Sequence, residues 1–162
     1  MRRRPSQEAM TSSEDPRRAA RDAALRLLAR REYAGTELQQ RLTQRGCSAE
    51  LACEVVAELA SEGLQSNERF AEALVRSRHQ RGHGPLRIVR DLRDRGVESD
   101  LIATYCDVTD ASWTTHAREV LQRRFGLESP QDYPEWAKRA RFLQSRGFTE
   151  RQVRAALGDE HE

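Results

Sequence analysis

Histidine is the residue type in this chain best suited to chemistry, and His79 and His83 stand four apart. On an unbroken helix that spacing puts two imidazoles on one face, as a metal ion would need. Gly82 and Gly84 interrupt the helix there, and no nearby Cys or Glu offers a third ligand, so no metal site is expected. His116 reads as a rim residue of a helix, and His161 belongs to the terminal tail. No Ser-His-Asp or Cys-His order marks a nucleophile, and no Gly-x-x-x-x-Gly-Lys loop is present to cradle phosphate. Gly82-x-Gly84 is too short for a dinucleotide fingerprint, and it follows a helix. Asp91 and Asp94 sit among arginines and read as intrahelical ion-pair partners rather than general acids. The expectation is a protein without catalytic residues or cofactor.

Arginine carries the remaining chemistry. The chain has 28 basic and 26 acidic residues, a net charge of +2, and Lys138 is its one lysine. Bulk charge therefore excludes a histone-like polycation, and only local clustering can matter. Arg69, Arg76, Arg78 and Arg81 precede the Gly82-x-Gly84 turn, and Arg87 and Arg90 follow it. Two helices flanking one turn would merge these six into a cationic rim for an acidic protein surface or for phosphate. A second basic stretch holds Arg123, Arg124, Lys138, Arg139, Arg141, Arg146, Arg151 and Arg154. The aromatic residues fall mostly on apolar stripes, so base stacking is not expected as the main binding mode. Cys47, Cys53 and Cys106 form no metal-type pair and read as reduced, mostly buried thiols. No run reaches the ~20 apolar residues that a membrane span needs. Met1-Arg2-Arg3-Arg4-Pro5 has no apolar stretch behind it to make a secretory signal. These features predict a cytoplasmic protein.

The elements that position these side chains come from a phrase written three times. Leu-x-x-Arg-Gly occurs at Leu42 to Gly46, Leu92 to Gly96 and Leu143 to Gly147, with the glycines 50 and then 51 residues apart. A fixed period of that size marks a repeat architecture. Around each phrase the apolar residues keep helical spacing: Ala20, Ala24, Leu27 and Leu28 before the first, Phe70, Ala71, Leu74 and Val75 before the second, Trp113, Ala117, Val120 and Leu121 before the third. Each Gly is expected to take the left-handed conformation past a helix end, with the apolar Cys47, Val97 or Phe148 packing back. Thr36, Ser48, Ser66 or Asn67, Asp110 and Thr149 are the expected helix caps, and Pro85 suits a first turn. The predicted fold is all-α: three tandem three-helix, helix-turn-helix-like repeats in an elongated, curved array. The boundaries read as a disordered tail 1–16, repeats 17–64, 65–108 and 109–158, and a tail 159–162.

Three segments in this order resemble the RecX family of regulatory proteins. They are Arg31-Glu32-Tyr33-Ala34-Gly35-Thr36-Glu37-Leu38 running to Gly46, Asn67-Glu68-Arg69-Phe70-Ala71 running to Gly96-Val97, and Arg141-Phe142-Leu143-x-x-Arg146-Gly147-Phe148 running to Leu157. The resemblance covers about residues 19–157. Asn67-Glu68 stands where the family often has an acidic pair. The resemblance implies a non-catalytic modulator that binds the RecA recombinase within the groove of its filament on single-stranded DNA. It implies restraint of ATP hydrolysis, strand exchange and co-protease activity, and so a part in DNA repair, recombination and the SOS response. The chain is expected to act as a monomer and to meet DNA phosphate as well as RecA. The alternative reading is a helix-turn-helix DNA-binding module that works without RecA.

Overall fold

The computed structural model describes residues 15–159, which hold nine α-helices and no strand. Most of the expected tail, residues 1–14, lies outside the described residues. The helices group in threes. Module 1 comprises α1 (Pro16–Arg30), α2 (Gly35–Gln44) and α3 (Ala49–Ser61). Module 2 comprises α4 (Asn67–Gln80), α5 (Pro85–Asp94) and α6 (Ser99–Tyr105). Module 3 comprises α7 (Ser112–Phe125), α8 (Tyr133–Arg146) and α9 (Glu150–Leu157). Within every module each helix packs on the other two.

The helix ends follow from local chemistry. Asp15 accepts from the Arg17 N–H with Pro16 in the first turn, so α1 starts there rather than at Arg17. Ser48, Ser66 and Thr149 cap α3, α4 and α9, and Thr149 forms a reciprocal capping box with Gln152. Asp110 accepts from the Ser112 N–H at the start of α7, and Asp132 from the Glu135 N–H at the start of α8. Thr36 is not a cap. Helix α2 begins at Gly35 behind Ala34 without a side-chain cap, because Thr36 lies against the Gly96 turn of the next module.

The repeated phrase is a helix stop built from backbone. Gly46, Gly96 and Gly147 have φ of 95, 77 and 98°. In each case the Gly N–H donates to the carbonyl three residues back, at 3.0 Å, and the following Cys47, Val97 or Phe148 N–H reaches the Leu carbonyl of the phrase at 3.1–3.2 Å. This paired 5→2 and 6→1 bonding satisfies carbonyls that a helix end otherwise leaves open. It explains why Leu and Gly keep their spacing while the two residues after the Leu vary.

The core is split. One apolar cluster belongs to module 1 and centres on Leu38, Leu42, Val55 and Leu59. A second runs continuously through modules 2 and 3, from Phe70, Ile88 and Leu92 to Trp113, Trp136 and Leu143, and reaches back to Ala34. The seam between modules 1 and 2 is therefore largely polar. The buried Gln65 amide donates to the Tyr33 carbonyl at 3.1 Å, Asn67 Oδ1 accepts from the Gly35 N–H at 2.9 Å, and Arg69 pairs with Glu32 at 2.9 Å.

Between modules 2 and 3 the backbones themselves meet. The Gly84 N–H donates to the Arg146 carbonyl at 2.7 Å and the Leu86 N–H to the Gly147 carbonyl at 2.9 Å. The N-terminus of α5 thus caps the C-terminus of α8, which also aligns their dipoles favourably. The approach is close enough to exclude side chains. A Cβ on Gly84 would lie 2.5 Å from the Gly147 backbone, and one on Gly147 would lie 2.5 Å from Arg87 Cβ. Gly84 has φ −87°, which any residue adopts, so only the contact requires glycine there.

Alanine substitution separates these demands. Gly46→Ala meets open space among the described residues and should cost about 1–2 kcal/mol from its left-handed φ alone. Gly147→Ala adds a backbone overlap and should cost at least about 3 kcal/mol. Gly84→Ala, without φ strain, should still lose about 1–3 kcal/mol. Urea unfolding of the three variants checks the order; equal losses at Gly46 and Gly147 would contradict it.

Candidate partner and nucleic-acid interface

The six arginines singled out from the sequence divide into two kinds. Arg69 spans the seam to module 1, bonding Glu32 and the Gly63 carbonyl. Arg76 pairs with Glu72 one turn earlier at 3.1 Å. Arg78 reaches from α4 to Asp91 on α5 at 2.9 Å, partly buried. Asp91 therefore serves an interhelical pair, not the intrahelical one its neighbours suggested. Arg81, Arg87 and Arg90 have no carboxylate within 4 Å among the described residues, and all three are exposed.

The backbone junction brings other arginines to these three. Arg81 lies at the end of α4 beside Arg123 and Arg124 of α7 and Arg146 of α8, around a depression of about 210 Å3 floored by Gly82, Val120 and Phe142. Across the end of α8, Arg87 and Arg90 line a second depression of about 470 Å3 with Gln144 and Ser145. Its one acidic neighbour, Asp91, is held by Arg78. Arg146 lines the first depression while its chain neighbours Ser145 and Gly147 line the second, and its guanidinium lies 5.2 Å from the Phe142 ring centroid. Arg124 lies 5.4 Å from the Phe125 centroid. None of Arg81, Arg87, Arg90, Arg123, Arg124 and Arg146 pairs with a carboxylate among the described residues. The result is one basic saddle over the junction of modules 2 and 3, with unspent donors that suit phosphate or carboxylate oxygens. Arg123, Arg124 and Arg146 read in sequence as a separate third-repeat surface. Only the docking of α5 on α8 makes them continuous with the rim.

Under the saddle lies a histidine cluster. His116 is not a rim residue: it is 4% exposed and stacks on His79 with ring centroids 3.6 Å apart. The Trp113 and Phe148 rings flank it at 5.8 and 5.6 Å. Neither ring nitrogen of His116 makes a well-aligned hydrogen bond among the described residues, although the His83 backbone lies close enough to favour its charged form. His83 is buried too, with Nδ1 unpartnered. Burial pushes the His83 pKa below the ordinary imidazole value, and the positive charges of Arg87, Arg78 and Arg146 push it further, against Asp91. Burial likewise lowers the His116 pKa, with His79 and Arg123 adding to it and the His83 backbone and the nearby Glu119 opposing. No group of three or more His, Cys, Asp or Glu among the described residues is arranged to hold a metal ion. Of the cysteines, Cys106 is buried, its pKa raised to about 11 by burial, Cys47 is half-buried and Cys53 is exposed rather than buried.

Comparison with known proteins decides the family. Models of the first, second and third RecX three-helix domains match residues 20–59, 66–105 and 114–157. This chain belongs to the RecX family. A Halorhodospira halophila protein named regulatory protein RecX is 50% identical over 138 residues, 85% of this chain and 86% of its own length. The RecX of Chromohalobacter salexigens is 46% identical over 138 residues, 85% of this chain and 90% of its own length. The crystal structure of RecX from Lactobacillus salivarius superposes with a TM-score of 0.72 at 18% identity, covering 88% of this chain and 94% of that one. These relatives carry the name of a regulatory protein, and the shared fold is the all-α three-module array. Among the described residues no helix is long and apolar enough to cross a membrane.

The buried histidines make stability depend on pH in a definite direction. Their folded pKa values lie below the unfolded value of about 6.5, so the unfolded state binds more protons in the interval between. The neutral rings contribute fully above pH ~6.5, and stability falls as pH drops below it. Urea midpoints at pH 7.5 and pH 5 should therefore differ, and His116→Phe should flatten the difference. An equal pH slope in wild type and His116→Phe would contradict this assignment.

Proposed function

We propose that this RecX-family chain is a non-catalytic cytoplasmic regulator that binds the RecA recombinase filament on single-stranded DNA and restrains its ATPase, strand-exchange and co-protease activities. The single observation that carries the nucleoprotein part of this reading is the basic saddle of Arg81, Arg87, Arg90, Arg123, Arg124 and Arg146, which spends no charge on internal ion pairs. A filament with DNA in its groove presents phosphate oxygens and acidic protein surface together, and guanidinium groups meet both. The tandem modules supply length. One chain, acting as a monomer, then touches more than one filament subunit and biases the filament toward a less active state. Such a bias requires tighter binding to that state than to the active one. The consequences fall on DNA repair, recombination and the SOS response.

The test is the ATPase of RecA on single-stranded DNA, titrated with this protein. Inhibition at ratios well below one chain per RecA supports bridging; inhibition only at equimolar ratios or above points to sequestration instead. Arg87→Glu with Arg90→Glu, and separately Arg123→Glu with Arg124→Glu, should each raise the half-inhibitory concentration about tenfold. For every phosphate left without its arginine, the salt slope of binding should also fall by about 0.7. Arg76→Glu, which removes only a surface pair with Glu72, should change either value little. Sequence-specific duplex binding in the absence of RecA, with no effect on its ATPase, would favour the independent helix-turn-helix reading.

A further inference from the structure

The three Gly turns are alike in backbone but not in what covers them. The Gly96 turn is covered by Thr36, whose Oγ1 would lie 2.7 Å from a Cβ there, and the Gly147 turn by Arg87. Each cover is the first turn of the second helix of the preceding module. Among the described residues no module precedes module 1. Nothing among the described residues lies within 4 Å of a Cβ on Gly46, although the turn has the same left-handed φ and the same hydrogen bonds as the other two. Beside it runs a groove of about 470 Å3, with Ala19, Ala23, Leu42 and Leu51 in its floor and Arg26 and Arg45 at its rim. Both arginines are exposed, and neither has a carboxylate partner among the described residues.

From this repetition we infer that the Gly46 turn and its groove seat the first turn of a helix from the protein partner, one that opens on a small residue and carries carboxylates. The small residue follows from the covered junction, where any Cβ at the Gly84 position strikes backbone. The carboxylates follow from charge. A helix N-terminus brings about half a positive charge of its own, and beside Arg26 and Arg45 it needs acidic residues to offset the repulsion. The alanine floor allows close approach, and the open turn offers the Arg45 and Gly46 carbonyls, the counterparts of those at Arg146 and Gly147 that accept from α5. Two other occupants fit less well. In a second copy of this chain the corresponding helix is α8, which has 14 residues where α5 has 10 and begins behind Asp132 instead of a glycine. The chain's own residues 1–14 carry Arg2, Arg3 and Arg4 against Glu8 and Glu14, a net positive charge that suits a basic rim less well.

This inference rests on the regulatory reading above, in which the partner is RecA, and it assigns module 1 to protein contact while the saddle meets phosphate. The test uses full-length protein, RecA filaments on single-stranded DNA, and two variants: Ala19→Trp, which fills the groove, and Arg26→Glu with Arg45→Glu, which alters exposed residues only. Each is first checked for wild-type thermal unfolding. Filament binding should weaken at least tenfold in both, while binding of the variants to single-stranded DNA alone stays within twofold of wild type. Filament affinity within twofold of wild type in the double variant overturns the inference and leaves the regulatory reading standing. Failure of the wild type itself to bind the filament overturns the reading, and the inference with it. A dimer in sedimentation that Ala19→Trp abolishes would assign the groove to a second copy and overturn the inference as well.

Discussion

The structure depends on two hydrogen bonds, from the Gly84 and Leu86 N–H groups to the Arg146 and Gly147 carbonyls. A helix end is ordinarily a liability, because open N–H groups at one terminus and open carbonyls at the other must find partners. Here one end answers the other. The bonds lie against the continuous core of modules 2 and 3, where water competes poorly and the separation of the two backbones is fixed. That separation leaves no room for a side chain at Gly84 or Gly147. The same contact sets the spacing of Arg81, Arg87, Arg123 and Arg146, so the basic saddle is a product of the junction rather than of any one helix.

The two junctions differ in kind. Modules 2 and 3 are joined by backbone bonds and a shared apolar core, whereas modules 1 and 2 meet through Gln65, Asn67 and the Arg69–Glu32 pair. Polar contacts of this type contribute little net stability individually, but they fix orientation. Module 1 keeps a separate core. The array therefore has a two-module body that shares one core, with a third module attached by a polar seam.

Much of this was legible in the residues. The Leu-x-x-Arg-Gly phrase revealed the repeat, because a left-handed stop with paired backbone bonds imposes its spacing whatever the side chains are. Ser48, Ser66 and Thr149 could be read as caps because capping is local. The misreadings that bear on the site involve contacts distant in sequence. Thr36 has the chemistry of a cap, but the Gly96 turn claims it. His116 has the polarity of a surface residue, but His79 from another module covers it. Asp91 lies among arginines of its own helix and pairs with Arg78 of a different one. Of the six arginines marked in sequence, three stand on the saddle, and the other three are held by Glu32, Glu72 and Asp91. Only the packed structure shows which arginines are left without an acid.

Native-state hydrogen exchange at single amides tests the junction most directly. If it holds modules 2 and 3 as one body, the Gly84 and Leu86 amides exchange as slowly as the core amide of Leu143, through cooperative unfolding. Exchange as fast as that of the exposed loop amide of Leu127 would show the two modules opening independently, and the saddle could not then be a fixed surface.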